Sequence, residues 1–228
     1  MLRRDDVAPF YLKHLAVSEK NSNFAAVMKK TFIILIVALG CLGCGSDDYG
    51  PKFGTEEECH YDEMQLKGQW EQIISEAAAT PVQSLACHKV VRLAQYKLRQ
   101  AGSEAVMECL ANTKETLTSE TAAMMMSDVY IQLGFANLAQ RAAFEAMVTT
   151  KSGKLKTRAL QRLTETAIIT RQYELAWKYI TILEEDGVNR QWLETIKPMV
   201  VHPETVQENP TFKSLQEQYE KTGDQFFM

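Results

Sequence analysis

Two Cys-His dipeptides, Cys59-His60 and Cys87-His88, hold the residue types with the most chemistry in this sequence. Two thiolates and two imidazoles can bind zinc tetrahedrally. Neighbours on a helix, however, point about 100° apart, so one member of each pair would face away from a shared ion. Neither a metal site nor a cofactor is expected. The cysteines raise a second chemistry: in an oxidising compartment Cys59, Cys87 and Cys109 can supply one disulfide, Cys59–Cys87 or Cys87–Cys109, and leave one thiol. Buried free thiols fit the sequence as well. Glu184, Glu185 and Asp186 bring three carboxylates together at what reads as a solvated helix end, with no histidine or nucleophile in view. The chain has no Gly-rich phosphate loop, no G-x-S-x-G and no H-E-x-x-H. Catalytic residues are therefore expected to be absent, and the protein is expected not to be an enzyme.

The elements that would position these residues are helices. The chain has 228 residues, 46% hydrophobic and 24% charged, enough for one ordinary core. From Glu56 onward the apolar spacing is helical. Residues 124–147 read as two short helices turning at Gly134, and 160–183 as a second pair turning at Arg171 and Gln172. Gly68, Gly102, Gly134 and Arg171 are spaced 34, 32 and 37 apart, near the 34-residue period of helix-turn-helix repeats. Glycine suits such a turn because a helix commonly ends in a left-handed residue. Five positions after these turns stand Ile73, Met107, Ala139 and Ala176, expected to face inward. Nine after stand Ala77, Ala111, Ala143 and Ile180; four before stand Met64, Leu98, Tyr130 and Ala167. Met124, Met125 and Met126 cannot share one helix face, so at least one is expected to be exposed or to enter a neighbouring interface. Core filling is the expected role for them, over an adaptable groove shared with Met107.

The expected boundaries follow from caps and breakers. Thr80-Pro81 reads as an N-cap and first helical residue, while Ser103 and Ser119 read as caps of later helices. Thr149 to Gly153 reads as a polar loop, and Gly187 closes the fourth hairpin. Asn189 to Lys197 predicts a short helix carrying Trp192 and ended by Pro198; residues 200–210 are too proline-rich for one helix, and Thr211 to Lys221 predicts a last one. Residues 55–187 are thus expected to be a helical-hairpin domain and 188–228 a capping segment, since terminal repeats need a cover.

The N-terminus reads as an address. Lys29 and Lys30 precede an apolar run from Thr31 to Leu39, followed by small residues and cysteine, the layout of a secretory signal peptide. The run is much shorter than the roughly 20 residues that span a bilayer. Residues 28–43 are expected to be the signal and 44–54 a flexible tether. Residues 1–27 fit no export signal and are expected to be a mis-called start ahead of Met28. The formal net charge is −4 over the chain and −7 from Cys44 onward, so nucleic acid is not an expected partner.

Leu42-Gly43-Cys44 resembles the lipobox of bacterial lipoproteins, in which the cysteine is acylated; Cys41 is the alternative. Ser46-Asp47-Asp48, just after Cys44, resembles the surface-export signal of Bacteroidetes-type lipoproteins. A diacylated, N-acylated cysteine would anchor stably where one chain would be marginal. Ser127, Tyr130, Gly134, Ala139 and Ala146 resemble the tetratricopeptide pattern, and Tyr173 and Ala176 keep part of it. The resemblance implies an all-α fold, a tetratricopeptide-like stack of about four helical hairpins with a C-terminal capping segment. From Gln69 to Trp192 the chain also resembles the soluble C-terminal part of an uncharacterised Bacteroidetes membrane-protein family of unknown function. Trp70, Tyr130 to Gly134, Ala143 to Ala146, Tyr173 to Ile180 and Trp192 carry that resemblance, and it implies no activity. Together these readings give an outer-membrane lipoprotein, expected to bind a protein or peptide partner on a concave repeat face. The alternative is a structural accessory subunit of an outer-membrane assembly or envelope complex.

Overall fold

The computed structural model describes residues 56–150, 153–185, 189–222 and 224, all within the unit Gly50–Met228. These residues form ten α-helices and one 3-10 helix, with no strand among them. In chain order they are α1 (Glu56–Leu66), α2 (Trp70–Ala79), α3 (Leu85–Lys97), α4 (Ser103–Leu110), α5 (Glu120–Gln132), α6 (Ala136–Thr149), α7 (Gly153–Ile169), α8 (Tyr173–Glu185), α9 (Arg190–Val201), the 3-10 helix Pro203–Glu208, and α10 (Pro210–Thr222). The fold is all-α. The first eight helices pair as four hairpins, consistent with a repeat-like stack.

Each hairpin turns in the same way. The first helix ends in a left-handed residue: Gly68, Arg99, Gly134 and Arg171 have φ of 66°, 57°, 86° and 61°. The next amide reaches back five residues. Gln69 donates to the Met64 carbonyl at 3.0 Å, Gln100 to Gln95 at 2.8 Å, Phe135 to Tyr130 at 2.9 Å and Gln172 to Ala167 at 2.7 Å. This closure satisfies carbonyls that a helix end otherwise leaves open.

The second hairpin departs from the expected register. Its left-handed residue is Arg99, and Gly102, with φ −99°, is instead the N-cap of α4. Columns counted from Gly102 are therefore displaced: Met107 is 66% exposed rather than inward-facing, and Ala105 and Cys109 are the buried residues of α4. Ser103 begins α4 rather than capping it, and the Gly102 amide donates to the Glu104 carboxylate at 2.7 Å. Thr80-Pro81 also starts no helix. The chain stays extended to Ser84, buries Val82, and enters α3 at Leu85. Pro198 does not end α9, which continues to Val201. Pro198 and Glu194, whose carbonyl loses its donor, both lie on the exposed side, while Leu193, Ile196, Met199 and Val200 form the buried stripe. Ser119 caps α5 as expected, its Oγ accepting the Ala122 amide at 2.9 Å.

Helix α5 is the centre. It packs against α6, α3, α7 and α1, and every residue from Ala122 to Ile131 is buried. All three methionines are fully enclosed: Met125 and Met126 join the main core, and Met124 packs with Ala123, Ala146 and Ala159 in a smaller cluster. A simple stack would leave one face of α5 open. Here α1 packs on α5 as well as on its hairpin partner α2 and on α3.

At the other end α10 lies across the third and fourth turns. Gln216 Nε2 donates to the Ile168 carbonyl at 3.1 Å, and Thr222 Oγ1 to the Gly134 carbonyl at 3.3 Å. Asp224 caps the start of α6, its Oδ2 accepting the Asn137 amide at 2.5 Å. A Cβ at Gly134 would meet the Gln218 side chain at 3.1 Å in a backbone conformation that L residues rarely adopt. Gly134→Ala is expected to destabilise the protein by about 1–2 kcal/mol, read as a lower urea midpoint with an unchanged m-value.

Candidate interaction site

The first helix is held by a polar seam. Its buried side is Glu58, Tyr61, Asp62, Met64 and Gln65. Asp62 receives both Nη1 and Nη2 of Arg158 on α7, at 2.6 and 2.8 Å, the two-pronged geometry that guanidinium and carboxylate share. Arg158 Nη2 also donates to Asp128 on α5. Arg162, one turn further along α7, donates to Asp128 at 2.5 Å and pairs with Glu165 at 2.8 Å. To one side, Glu58 accepts from Ser84 Oγ at 2.9 Å and Ser119 Oγ at 2.6 Å. To the other, Gln65 Nε2 reaches the Met125 carbonyl at 3.4 Å. Glu57 accepts the Gln83 and Ser84 amides at 2.9 and 2.7 Å, which ties α1 to the entry of α3.

Three carboxylates face two guanidiniums here. Burial raises the pKa of Asp62 and outweighs the opposing pull of Arg158. Burial also raises Glu165 against the pull of Arg162. For Arg158, burial works against the charge, but Asp62 and Asp128 more than offset it and hold its pKa up. The cluster ties α1, α5 and α7 together through paired charges. Asp128 hinted at it in sequence, as a lone charge in the apolar run Met124 to Ile131, which must be paired if that run is enclosed. Arg158 and Arg162, four residues apart, supply the matching face. Nothing local points to Asp62.

The residues singled out from sequence lie elsewhere. Cys44 and Cys41 fall outside the described residues. Cys59 is exposed, Cys87 and Cys109 are buried, and all three are free thiols. Burial pushes Cys87 up to about 12 and Cys109 up to about 11, so both stay protonated. His60 turns to Glu76, with Nε2 2.6 Å from its carboxylate, and His88 is exposed while Cys87 faces the core. The structure does not bring the two Cys-His pairs together at one point, and no group of three or more His, Cys, Asp or Glu able to hold a metal occurs among the described residues. Glu184 pairs with Lys197 of α9, and Asp186 lies outside the described residues. An open hollow of about 530 Å³ at the second turn is lined by residues from Tyr96 to Glu104 and includes none of the seam.

A second feature is apolar and faces outward. On the later helix of each hairpin stand Ile74, half-buried, and then Met107, Phe144 with Val148, and Trp177, all exposed. Phe144 and Val148 are one turn apart and share a face. No helix among the described residues is long and apolar enough to cross a membrane.

Residues 7–228 match a family described as a family of unknown function, DUF6057. The match starts upstream of Met28 and includes residues 7–27. No curated protein and no solved structure matches the chain.

Two outcomes test the seam. Asp128→Ala leaves both guanidiniums without their shared partner and is expected to cost about 3 kcal/mol in urea unfolding. Glu165→Gln is expected to act oppositely at neutral pH. A carboxyl whose folded pKa is raised binds its proton more tightly when folded, so the wild type gains stability as pH falls through that raised value. The variant should therefore exceed wild type near pH 7.5 and lose that advantage by about pH 4.

Proposed function

The chain belongs to the DUF6057 family, whose description assigns no activity, and we propose its function from its own residues: an exported, membrane-anchored lipoprotein of Bacteroidetes type that acts as a non-catalytic protein-binding helical-repeat module. The observation that carries the binding part is the set of exposed large apolar side chains on the later helices of the hairpins: Phe144, Val148 and Trp177, with Met107 exposed on the second hairpin. Large apolar side chains of this kind supply most of the energy at protein interfaces when a partner encloses them. They stand on successive hairpins, so an extended partner can touch several at once. The concave face expected from sequence is the poorer candidate, because α1 covers α5 on that side.

The anchoring part rests on residues 28–44. A short apolar run behind two lysines and a Leu-Gly-Cys ending supports acylation at Cys44, with Cys41 as the alternative. Ser46-Asp47-Asp48 supports the outer membrane and its outer surface. The excess of acidic residues argues against nucleic acid as the partner.

The test is affinity purification of the C-terminally tagged full-length chain from crosslinked envelopes. Wild type is expected to retain a stoichiometric protein partner in the membrane fraction. Cys44→Ala should move the chain to the soluble fraction, and Phe144→Ser/Trp177→Ser should stay anchored while losing the partner by about 2 kcal/mol or more. A partner retained by a folded double variant would sink the outward-face reading. Release by Cys41→Ala instead would move the lipid to Cys41. Several co-purifying subunits in fixed ratio would favour the structural accessory of an envelope assembly.

A further inference from the structure

We infer that the inner side of α3, α5 and α7 is a second docking groove, made for an acidic helix and plugged in cis by α1. The inference is independent of the exposed apolar side chains. Its basis is the unusual way α1 is held. A helix that packs permanently into a core normally shows an apolar stripe, as α7 does with Leu160, Leu163, Ala167 and Ile168. The side that α1 buries alternates instead between polar and apolar residues. Glu58, Asp62 and Gln65 stand at i, i+4 and i+7 and form one polar seam, and Tyr61 and Met64 are the large apolar residues beside it.

Such a seam sets register strongly and holds weakly. Each enclosed ion pair loses hydration on both partners, and this loss cancels much of the attraction, whereas the two-pronged geometry tolerates little displacement. The charged groups of the groove, in contrast, are satisfied without α1. Arg158 keeps Asp128 as a partner when Asp62 departs. Ser119 Oγ keeps the Ala122 amide when Glu58 departs. Removing α1 therefore leaves fixed, oriented donors and no orphaned charge on the groove side.

The occupant that can replace α1 is a helix from a partner protein with the same chemistry: Glu-x-x-x-Asp-x-x-Gln, with large apolar residues beside the Asp and Gln. Its Glu would accept from the Ser119 hydroxyl, its Asp would take the Arg158 fork, and its amide would donate to the Met125 carbonyl. Residues 55–67 contain five Asp or Glu and one Lys, which sets the charge of the fitting segment.

The test uses the full chain and a fluorescent peptide of residues 55–67 carrying Cys59→Ser, followed by anisotropy. Asp62→Ala in the chain loosens the plug, and this chain is expected to bind the peptide about tenfold more tightly than wild type does. A peptide carrying the same Asp62→Ala change should lose that gain. Equal affinity of the wild-type and Asp62→Ala chains for the peptide would overturn the inference. A second measurement guards against a variant that fails to fold. In the wild-type chain the α1 amides are expected to exchange hydrogen about tenfold faster than those of α5 or more, and equal protection of the two helices would refute displacement.

Discussion

Asp128 is the constraint on which the rest depends. It sits on a helix with no wet side, between Met124 to Met126 and Val129 to Ile131. A carboxylate enclosed in this way must be paired or be lost to protonation. The pairing comes from α7, where Arg158 and Arg162 approach from one turn to the next. Guanidinium forks then need further acceptors, and Asp62 and Glu165 provide them. One charge in the centre thus draws α7 onto α5 and places α1 over both.

This arrangement separates two faces that a regular hairpin stack would use differently. In an open superhelix the first helices of the hairpins line a concave surface for ligands. Here the first of those helices packs over α5 of the third hairpin and reaches Arg158 of the fourth. The second helices keep their outer sides bare, and it is there that Met107, Phe144 and Trp177 emerge. A second cover lies at the far end. Helix α10 and Asp224 close the turns of the last two hairpins with hydrogen bonds to Ile168, Gly134 and Asn137. The two covers differ in kind, because α10 closes helix ends whereas α1 closes a side.

Several local features are legible in the sequence because the signal and its structural cause lie within one turn of each other. Ser119 caps its helix, Gly134 takes the left-handed turn, and Tyr130 and Ala139 fall inside. The second hairpin was misread because glycine is only the cheapest left-handed residue. Arg99 adopts that conformation at a modest cost, and Gly102 is used two steps later as a cap. Pro198 misled for a related reason: a lost hydrogen bond is tolerable where its carbonyl faces water. The seam itself was invisible, since Asp62 and Arg158 are 96 residues apart and neither is unusual in its own surroundings.

The sequence by itself determined the all-α class, the four hairpins, three of their four turns and the Ser119 cap. These depend on 3.6-residue periodicity and on backbone groups satisfied by near neighbours. Only the tertiary structure decided which faces stay open. That choice depends on where α1 finds partners for Glu58, Asp62 and Gln65, and those partners come from Ser84, Ser119, Met125 and Arg158 on distant segments. Periodicity specifies that a helix has a buried side. It does not specify what that side meets, because the enclosure of a charge is a property of the assembled helices and of no single one.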